Sequence, residues 1–131
     1  MKKDIRILML EDNVADAELV KFALRDGGLN FTVKRVDSKA QYLKEIEEGP
    51  PDIILLDYAL PDFDGFEVLR RLRAEPRTAA IPCIALSANA MPEDIERGLA
   101  AGFADYWTKP IDFSAFLTAL KKRFPATRAE V

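Results

Sequence analysis

Short apolar runs of strand length alternate with longer segments of helical spacing along the chain. Three of the runs, residues 7–10, 53–56 and 81–86, are continuously apolar, which is typical of parallel strands covered by helices on both faces. A fourth run, Phe31–Val36, mixes apolar with polar side chains, as expected of a strand at the edge of a sheet. Strands that alternate with helices predict repeated βαβ units and therefore a parallel α/β sheet.

Residues that favour helix ends separate five helical segments between these runs. Residues suited to begin a helix precede the segments: Asn13, Ser38 with Gln41 at capping-box spacing, Asp64, Pro92 and Asp112. Glycines suited to end a helix follow the first, second and fourth segments: Gly27 with Gly28, Gly49 and Gly102. The fifth segment carries one apolar stripe, formed by Phe113, Phe116, Leu117, Leu120 and Phe124. A stripe at helical spacing indicates core packing rather than a cofactor site.

Length and charge favour a single domain. With 131 residues and a formal net charge of −3, the chain suits one compact unit, which we place at residues 1–124, with a tail or linker stub at 125–131. The lack of a basic sequence pattern argues against nucleic-acid binding. No signal peptide and no apolar run of membrane-spanning length is visible, so we expect a cytoplasmic domain that does not bind a membrane.

The histidine and cysteine content limits the catalytic and metal-binding chemistry that the chain can perform. The chain contains no histidine, which removes the commonest general base and the commonest transition-metal ligand. Metal chemistry would therefore involve a hard cation held by oxygen atoms, and any phosphohistidine would have to come from a partner. The single cysteine, Cys83, lies within the apolar run 81–86, where a small buried side chain is expected rather than a reactive thiol.

Polar side chains suited to metal or phosphate chemistry follow four of the apolar segments, at Glu11 with Asp12, at Asp57, at Ser87 and at Lys109. The carboxyl ends of parallel strands share one edge of the sheet, which is where open α/β sheets bind ligands. The three carboxylates suit Mg²⁺. Their repulsion, roughly 4 kcal/mol for two charges about 4 Å apart at an effective dielectric of ~20, favours a cation beside them, and Lys109 supplies a permanent one. A carboxylate in this setting can attack a phosphoryl group and form an acyl phosphate.

These residues, in this order and spacing, resemble the receiver domain of two-component response regulators from about Arg6 to Phe124. The residues that carry the resemblance are Glu11, Asp12, Asp57, Pro61, Asp64, Gly65, Ser87, Ala88, Tyr106, Lys109 and Pro110. The pattern is similar to that of chemotaxis regulators, and the second half is similar to the receivers of hybrid sensor histidine kinases. The resemblance implies a single doubly wound, flavodoxin-like α/β domain with a five-stranded parallel sheet of order 2-1-3-4-5 and helices on both faces.

The resemblance also implies roles at the predicted site. Asp57 resembles the phosphoacceptor. The implied Mg²⁺ ligands are Glu11 through a water molecule, the carboxylates of Asp12 and Asp57, and the backbone carbonyl of Ala59. Ser87 and Lys109 resemble the hydroxyl and the ammonium that contact the phosphoryl group, and they complete a catalytic set with Asp57.

Activation of such a domain implies a coupled movement of side chains. Ser87 would follow the phosphoryl group, Tyr106 resembles the switch aromatic, and Ala88 leaves space for its ring to turn inward. The implied donor is a sensor histidine kinase or a histidine phosphotransfer protein, and the implied output is a downstream protein or kinase domain. Whether the output surface instead forms a homodimer is left open. The domain would catalyse only its own phosphorylation and dephosphorylation.

Three other functions fit parts of the sequence. A receiver-like adaptor that works without phosphorylation would not need the acids, the hydroxyl and the lysine together, and Mg²⁺ binding would discriminate it from a phosphorylated switch. A phosphatase of the haloacid-dehalogenase type would use Asp57 as its nucleophile but would require a second aspartate at position 59, which is alanine. A flavin-binding flavodoxin would need a phosphate-binding loop after the first strand, where Glu11 and Asp12 would repel phosphate.

Overall fold

Five strands and five helices alternate in the computed structural model, which describes residues 5–27, 31–57, 65–87, 91–109 and 111–123. The strands are β1 (Ile5–Leu10), β2 (Phe31–Val36), β3 (Ile53–Asp57), β4 (Cys83–Ser87) and β5 (Asp105–Thr108). The helices are α1 (Val14–Asp26), α2 (Lys39–Glu48), α3 (Gly65–Ala74), α4 (Pro92–Ala101) and α5 (Phe113–Arg123). Within the described ranges, none of these helices is long and apolar enough to cross a membrane.

The strands form one parallel sheet in the order β2-β1-β3-β4-β5, which confirms the predicted order and the edge position of β2. One predicted strand is shorter than its apolar run. β4 begins at Cys83, because the Ile81 N–H donates to the Thr78 carbonyl in a preceding turn and Pro82 has no N–H to offer a neighbouring strand. The Pro82 carbonyl still accepts from the Ile54 N–H at 3.0 Å.

Two hydrophobic clusters lie on opposite faces of the sheet. Because side chains alternate along a strand, Leu8 and Leu10 pack under α2 and α3, whereas Ile7 and Met9 pack under α1 and α5. The α4 side contributes Ile95 to the first cluster. Each central strand is therefore buried on both faces, which is why these runs are continuously apolar.

Most of the predicted helix ends are confirmed. Asn13, Ser38 and Asp112 each accept a hydrogen bond from a backbone N–H in the first turn of α1, α2 and α5 respectively. The Gln41 side chain accepts from the Asp37 N–H rather than from Ser38, so the expected capping box is only half formed. Pro92 is the first residue of α4 and Gly102 ends it with a φ of 116°, a conformation that favours glycine. Gly27 ends α1, while Gly28, Asp64, Phe124 and the tail lie outside the described residues.

Two predictions about single side chains are also confirmed. Cys83 is fully buried, and this burial raises the pKa of its thiol to about 12, so it is not a reactive thiolate. Trp107 lies on the opposite face of β5 from Tyr106 and packs edge-on against Phe116 with ring centroids 5.7 Å apart. Its indole N–H donates to Asp105.

Candidate functional site

Three carboxylates meet at the carboxyl-terminal edge of the sheet. Leu10 pairs with Leu56, so the residues that follow them, Glu11 and Asp57, leave adjacent strands side by side. One oxygen from each of Glu11, Asp12 and Asp57 lies within 4.8 Å of the others. Glu11 and Asp57 are buried whereas Asp12 is exposed. A set of carboxylate oxygens with one side open to solvent fits Mg²⁺, which keeps several of its waters.

Lys109 reaches into this cluster from the end of β5. Its ammonium donates to Glu11 Oε1 at 2.9 Å, Asp16 Oδ2 at 3.0 Å and Asp57 Oδ2 at 3.3 Å. Its backbone N–H donates to the Ser87 carbonyl at 2.7 Å, so the end of β4 holds the lysine in place. Burial lowers the pKa of Lys109, but the hydrogen bonds to Glu11 and Asp16 and the negative charges of Asp57 and Glu11 together outweigh that effect and leave the pKa above its usual value. The side chain therefore stays charged.

Burial and a neighbouring carboxylate perturb the carboxyl group of Glu11. Burial raises its pKa, a hydrogen bond to Asp57 raises it further, and hydrogen bonds from Lys109 and the Asn13 N–H only partly offset these effects. The net result is a pKa of about 7 instead of the usual 4.5. Burial and the neighbouring Asp57 carboxylate therefore disfavour the charged form of Glu11.

Among the residues that the structure describes, two members of the site, Asp16 and Arg35, were not predicted from the sequence. Asp16, in the first turn of α1, is the third carboxylate on Lys109; an acid at this helical position has an ordinary explanation in the helix dipole. Arg35, at the end of β2, donates to the Glu11 carbonyl at 3.0 Å. The Glu11 N–H in turn donates to the Val36 carbonyl at 3.0 Å, so β2 fixes the backbone of Glu11 at both of its polar groups.

The two described residues of the predicted switch lie on neighbouring strands. Ser87 is the last residue of β4 and is buried. Tyr106 on β5 is also buried, and its ring lies so close to α4 that a Cβ at Gly98 would come within 3.0 Å of it. Ala59 and Ala88 lie outside the described residues, and their roles stay predictions.

Comparison with known proteins gives one consistent result. A family model of the response regulator receiver domain matches residues 7–121. A curated relative, an uncharacterized 14.6 kDa protein in the sodA1 3′ region of Leptolyngbya boryana, is 38% identical over 106 residues, which cover 81% of this chain and 79% of the relative. Other curated relatives are transcriptional regulators, and this chain spans about half of their length.

Solved structures agree with this match. The signal receiver domain of a DNA-binding response regulator from Colwellia psychrerythraea 34H superposes with a TM-score of 0.85 at 24% identity, covering 93% of this chain and 99% of that one. The receiver domain of sensor histidine kinase PA1611 from Pseudomonas aeruginosa PAO1 superposes with a TM-score of 0.76 at 33% identity, covering 92% and 97%, and has a magnesium ion coordinated in its active-site cleft. The present chain belongs to the receiver domains of two-component response regulators, a family of phosphorylation-dependent signalling switches rather than conventional enzymes.

Proposed function

We propose that this domain is switched by a phosphoryl group on Asp57. The observation that carries the proposal is the set of contacts around that carboxylate: it is buried, it lies in a cluster of three acids, and the Lys109 ammonium is 3.3 Å from it. A buried acid with both like charges and a dedicated cation is typical of a functional site. Because the chain is a receiver domain, its phosphoryl donor would be a histidine kinase or a histidine phosphotransfer protein.

The transfer uses few groups. A carboxylate oxygen of Asp57 attacks the phosphorus of the donor phosphohistidine, a new P–O bond forms, and the P–N bond breaks with its electron pair retained by the imidazole nitrogen. Lys109 neutralises charge on the phosphoryl oxygens, and the Ser87 hydroxyl donates to one of them. Water later attacks the phosphorus, the bond between phosphorus and the Asp57 oxygen breaks, and inorganic phosphate leaves as the carboxylate is restored.

Receiver domains bind Mg²⁺ at an acidic site, and we assign that role to Glu11, Asp12 and Asp57 together with the backbone carbonyl of Ala59. Glu11 would act through a water molecule. When bound, the ion supplies positive charge that offsets the charge of the phosphoryl group.

The alternatives are less well supported by the site. An adaptor that works without phosphorylation would not need the acids, the Ser87 hydroxyl and Lys109 together, whereas here Lys109 is bonded to three carboxylates. A phosphatase of the haloacid-dehalogenase type lacks its second aspartate, because position 59 is alanine. A flavin phosphate would meet the acids Glu11 and Asp12 after β1.

Melting experiments test the metal site. In EDTA, we expect Asp57→Asn to melt at a higher temperature than the parent protein, because it removes one of the mutually repelling charges. Mg²⁺ at ten times its dissociation constant should stabilise the parent by about 1.4 kcal/mol, or roughly 5 °C for a domain of this size, and should stabilise Asp57→Asn much less. Differential scanning calorimetry gives both shifts.

The matched control is Asp52→Asn, the same substitution at the opposite end of β3, where Asp52 accepts from the Arg6 N–H. This variant should keep the full Mg²⁺ shift even though its melting temperature changes. Equal Mg²⁺ shifts in Asp57→Asn and the parent would contradict a shared site.

The output depends on Ser87 and Tyr106, which we propose are coupled. Movement of the Ser87 hydroxyl toward the phosphoryl group would make room near Ala88 for the Tyr106 ring, and this two-state change would bias the surface formed by α4, β5 and α5. A downstream protein, a kinase domain or a second copy of the chain would bind that surface. The formal net charge of −3 supports the further proposal that the domain itself does not bind nucleic acid.

An NMR comparison of the parent, Ser87→Ala and Tyr106→Ala tests this coupling, with and without beryllofluoride and Mg²⁺ as a phosphoryl mimic. All three should bind the mimic, because Asp57 and Lys109 remain. Both variants should lose most of the chemical-shift change between residues 91 and 123. Full propagation to that region in Ser87→Ala would show that the signal takes another route.

A further inference from the structure

Asp16 is bonded to the lysine of the site but lies outside the three-acid cluster. Its Oδ2 is 3.0 Å from Lys109 Nζ, and α1 fixes its backbone because the Asp16 N–H donates to Asn13 Oδ1 at 3.1 Å. The side chains of the other two partners, Glu11 and Asp57, are only 1% and 10% exposed, whereas that of Asp16 is 36% exposed. The three partners of Lys109 therefore differ in how easily water can replace the ammonium.

Contact with a phosphoryl group requires Lys109 to give up a bond. An ammonium has three N–H donors, and in this structure three carboxylates accept from it. The donor on Asp57 Oδ2 can pass to a phosphoryl oxygen, but the phosphoryl group extends beyond that carboxylate, so an ammonium that follows it must give up its contact with Glu11 or with Asp16. Release of Glu11 would leave a buried charge without its cation, which is costly, whereas released Asp16 can be solvated. Asp16 and Lys109 also line a cavity of about 100 Å³ together with Leu19 and Phe113, so there is room for the two side chains to separate.

We propose that Asp16 is a positioning residue that holds Lys109 in the unphosphorylated domain and releases it to the phosphoryl group. This inference rests on the proposed phosphorylation of Asp57. Asp16 competes with the phosphoryl oxygens for the same ammonium and thereby weakens the binding of a phosphoryl group or its mimic. It makes no contact with the reacting atoms and acts through Lys109 alone.

The test compares the parent, Asp16→Asn and Glu18→Gln, which removes a charge from an exposed position of the same helix where Glu18 pairs with Lys21. With saturating Mg²⁺, Asp16→Asn should bind beryllofluoride about threefold more tightly than the parent, the size expected for loss of one partly exposed ion pair. Glu18→Gln should match the parent. In the metal-free protein, ¹⁵N NMR of the Lys109 ammonium should show faster hydrogen exchange with water in Asp16→Asn only.

A double-mutant cycle with Lys109→Gln shows whether Asp16 acts through its ion pair with Lys109 or only through its negative charge. The Lys109→Gln proteins should still bind beryllofluoride through Asp57 and Mg²⁺, more weakly than the parent, and in that background Asp16→Asn should no longer change the affinity. An equal gain in both backgrounds would show that Asp16 acts by charge alone and would overturn the inference. So would a parent and an Asp16→Asn variant with the same affinity and the same ammonium exchange. A parent that binds no beryllofluoride at all would instead refute the proposed function, and this inference with it.

Discussion

Asp57→Asn will gain no phosphoryl group from acetyl phosphate and Mg²⁺, whereas the parent protein will gain one. The expected effect is complete, because the amide lacks the charged oxygen that attacks phosphorus, and because the other acids of the site are poor substitutes. Glu11 is buried and its pKa is raised to about 7, while Asp12 is exposed at the edge of the cluster. Intact-protein mass spectrometry after a timed incubation measures the added group.

Asp52→Asn is the control for this experiment, since Asp52 precedes the same strand and accepts from the Arg6 N–H far from Lys109. It should be phosphorylated at the parent rate. Peptide mapping of the parent should place the group on Asp57, and hydroxylamine should remove it because an acyl phosphate is susceptible to nucleophiles. Labelling of Asp57→Asn at the parent rate would refute the assignment of the phosphoacceptor.

Lys109→Gln should destabilise the metal-free domain by about 2 kcal/mol at pH 8, which is below the 3–5 kcal/mol typical of a broken buried ion pair because this lysine is partly exposed. The substitution leaves Glu11 and Asp57 close together without the ammonium that bridges them. Urea unfolding in EDTA measures the loss, and excess Mg²⁺ should recover part of it because the ion binds the same carboxylates.

The stability that Lys109→Gln loses should depend on pH in a defined direction. The pKa of Glu11 is about 7 in the folded domain against a usual value of 4.5, so the folded state holds this proton at pH values where the unfolded state has lost it. Stability therefore falls as the pH rises from 4.5 through 7. Without Lys109 the folded pKa should rise further, so Lys109→Gln should lose more stability between pH 6 and pH 8 than the parent does.

Lys44→Gln provides the comparison, because Lys44 is exposed on α2 and lies 4.0 Å from Glu48. It should stay within about 0.5 kcal/mol of the parent at both pH values. A Lys109→Gln variant as stable as the parent at pH 8 would show that the ammonium contributes no net stabilisation to the acid cluster.

The sequence predicted the parts of the site that strands position. Glu11, Asp57, Ser87 and Lys109 each follow a strand or end one, and parallel strands in register bring such positions to one edge. The contact between Lys109 and Glu11, which are 98 residues apart, could therefore be anticipated. The apolar run 81–86 predicted a strand that begins two residues too early. A count of apolar residues does not distinguish Pro82, which cannot donate a hydrogen bond, from the strand residues that follow it.

Contacts made by helices and long side chains could not be predicted in this way. Asp16 faces Lys109 because packing of Ala17, Val20 and Leu24 sets the rotation of α1 about its axis, and no local pattern fixes that angle to the precision of a hydrogen bond. Arg35 reaches the Glu11 carbonyl through a flexible side chain from β2. The roles of Ala59 and Ala88 rest on resemblance alone, since a backbone carbonyl or an empty space has no signature in a side chain.

Gly98 makes the stability of α4 depend on the Tyr106 side chain of β5. Gly98 is the one buried residue of α4, and glycine inside a helix costs about 0.5–1 kcal/mol relative to alanine. The Tyr106 ring occupies the place where a side chain of the helix would otherwise pack. Displacement of that ring would remove this support from α4 while leaving the ladders of the sheet intact. Amide hydrogen exchange in α4 should therefore report the position of Tyr106, with faster exchange whenever the ring leaves Gly98.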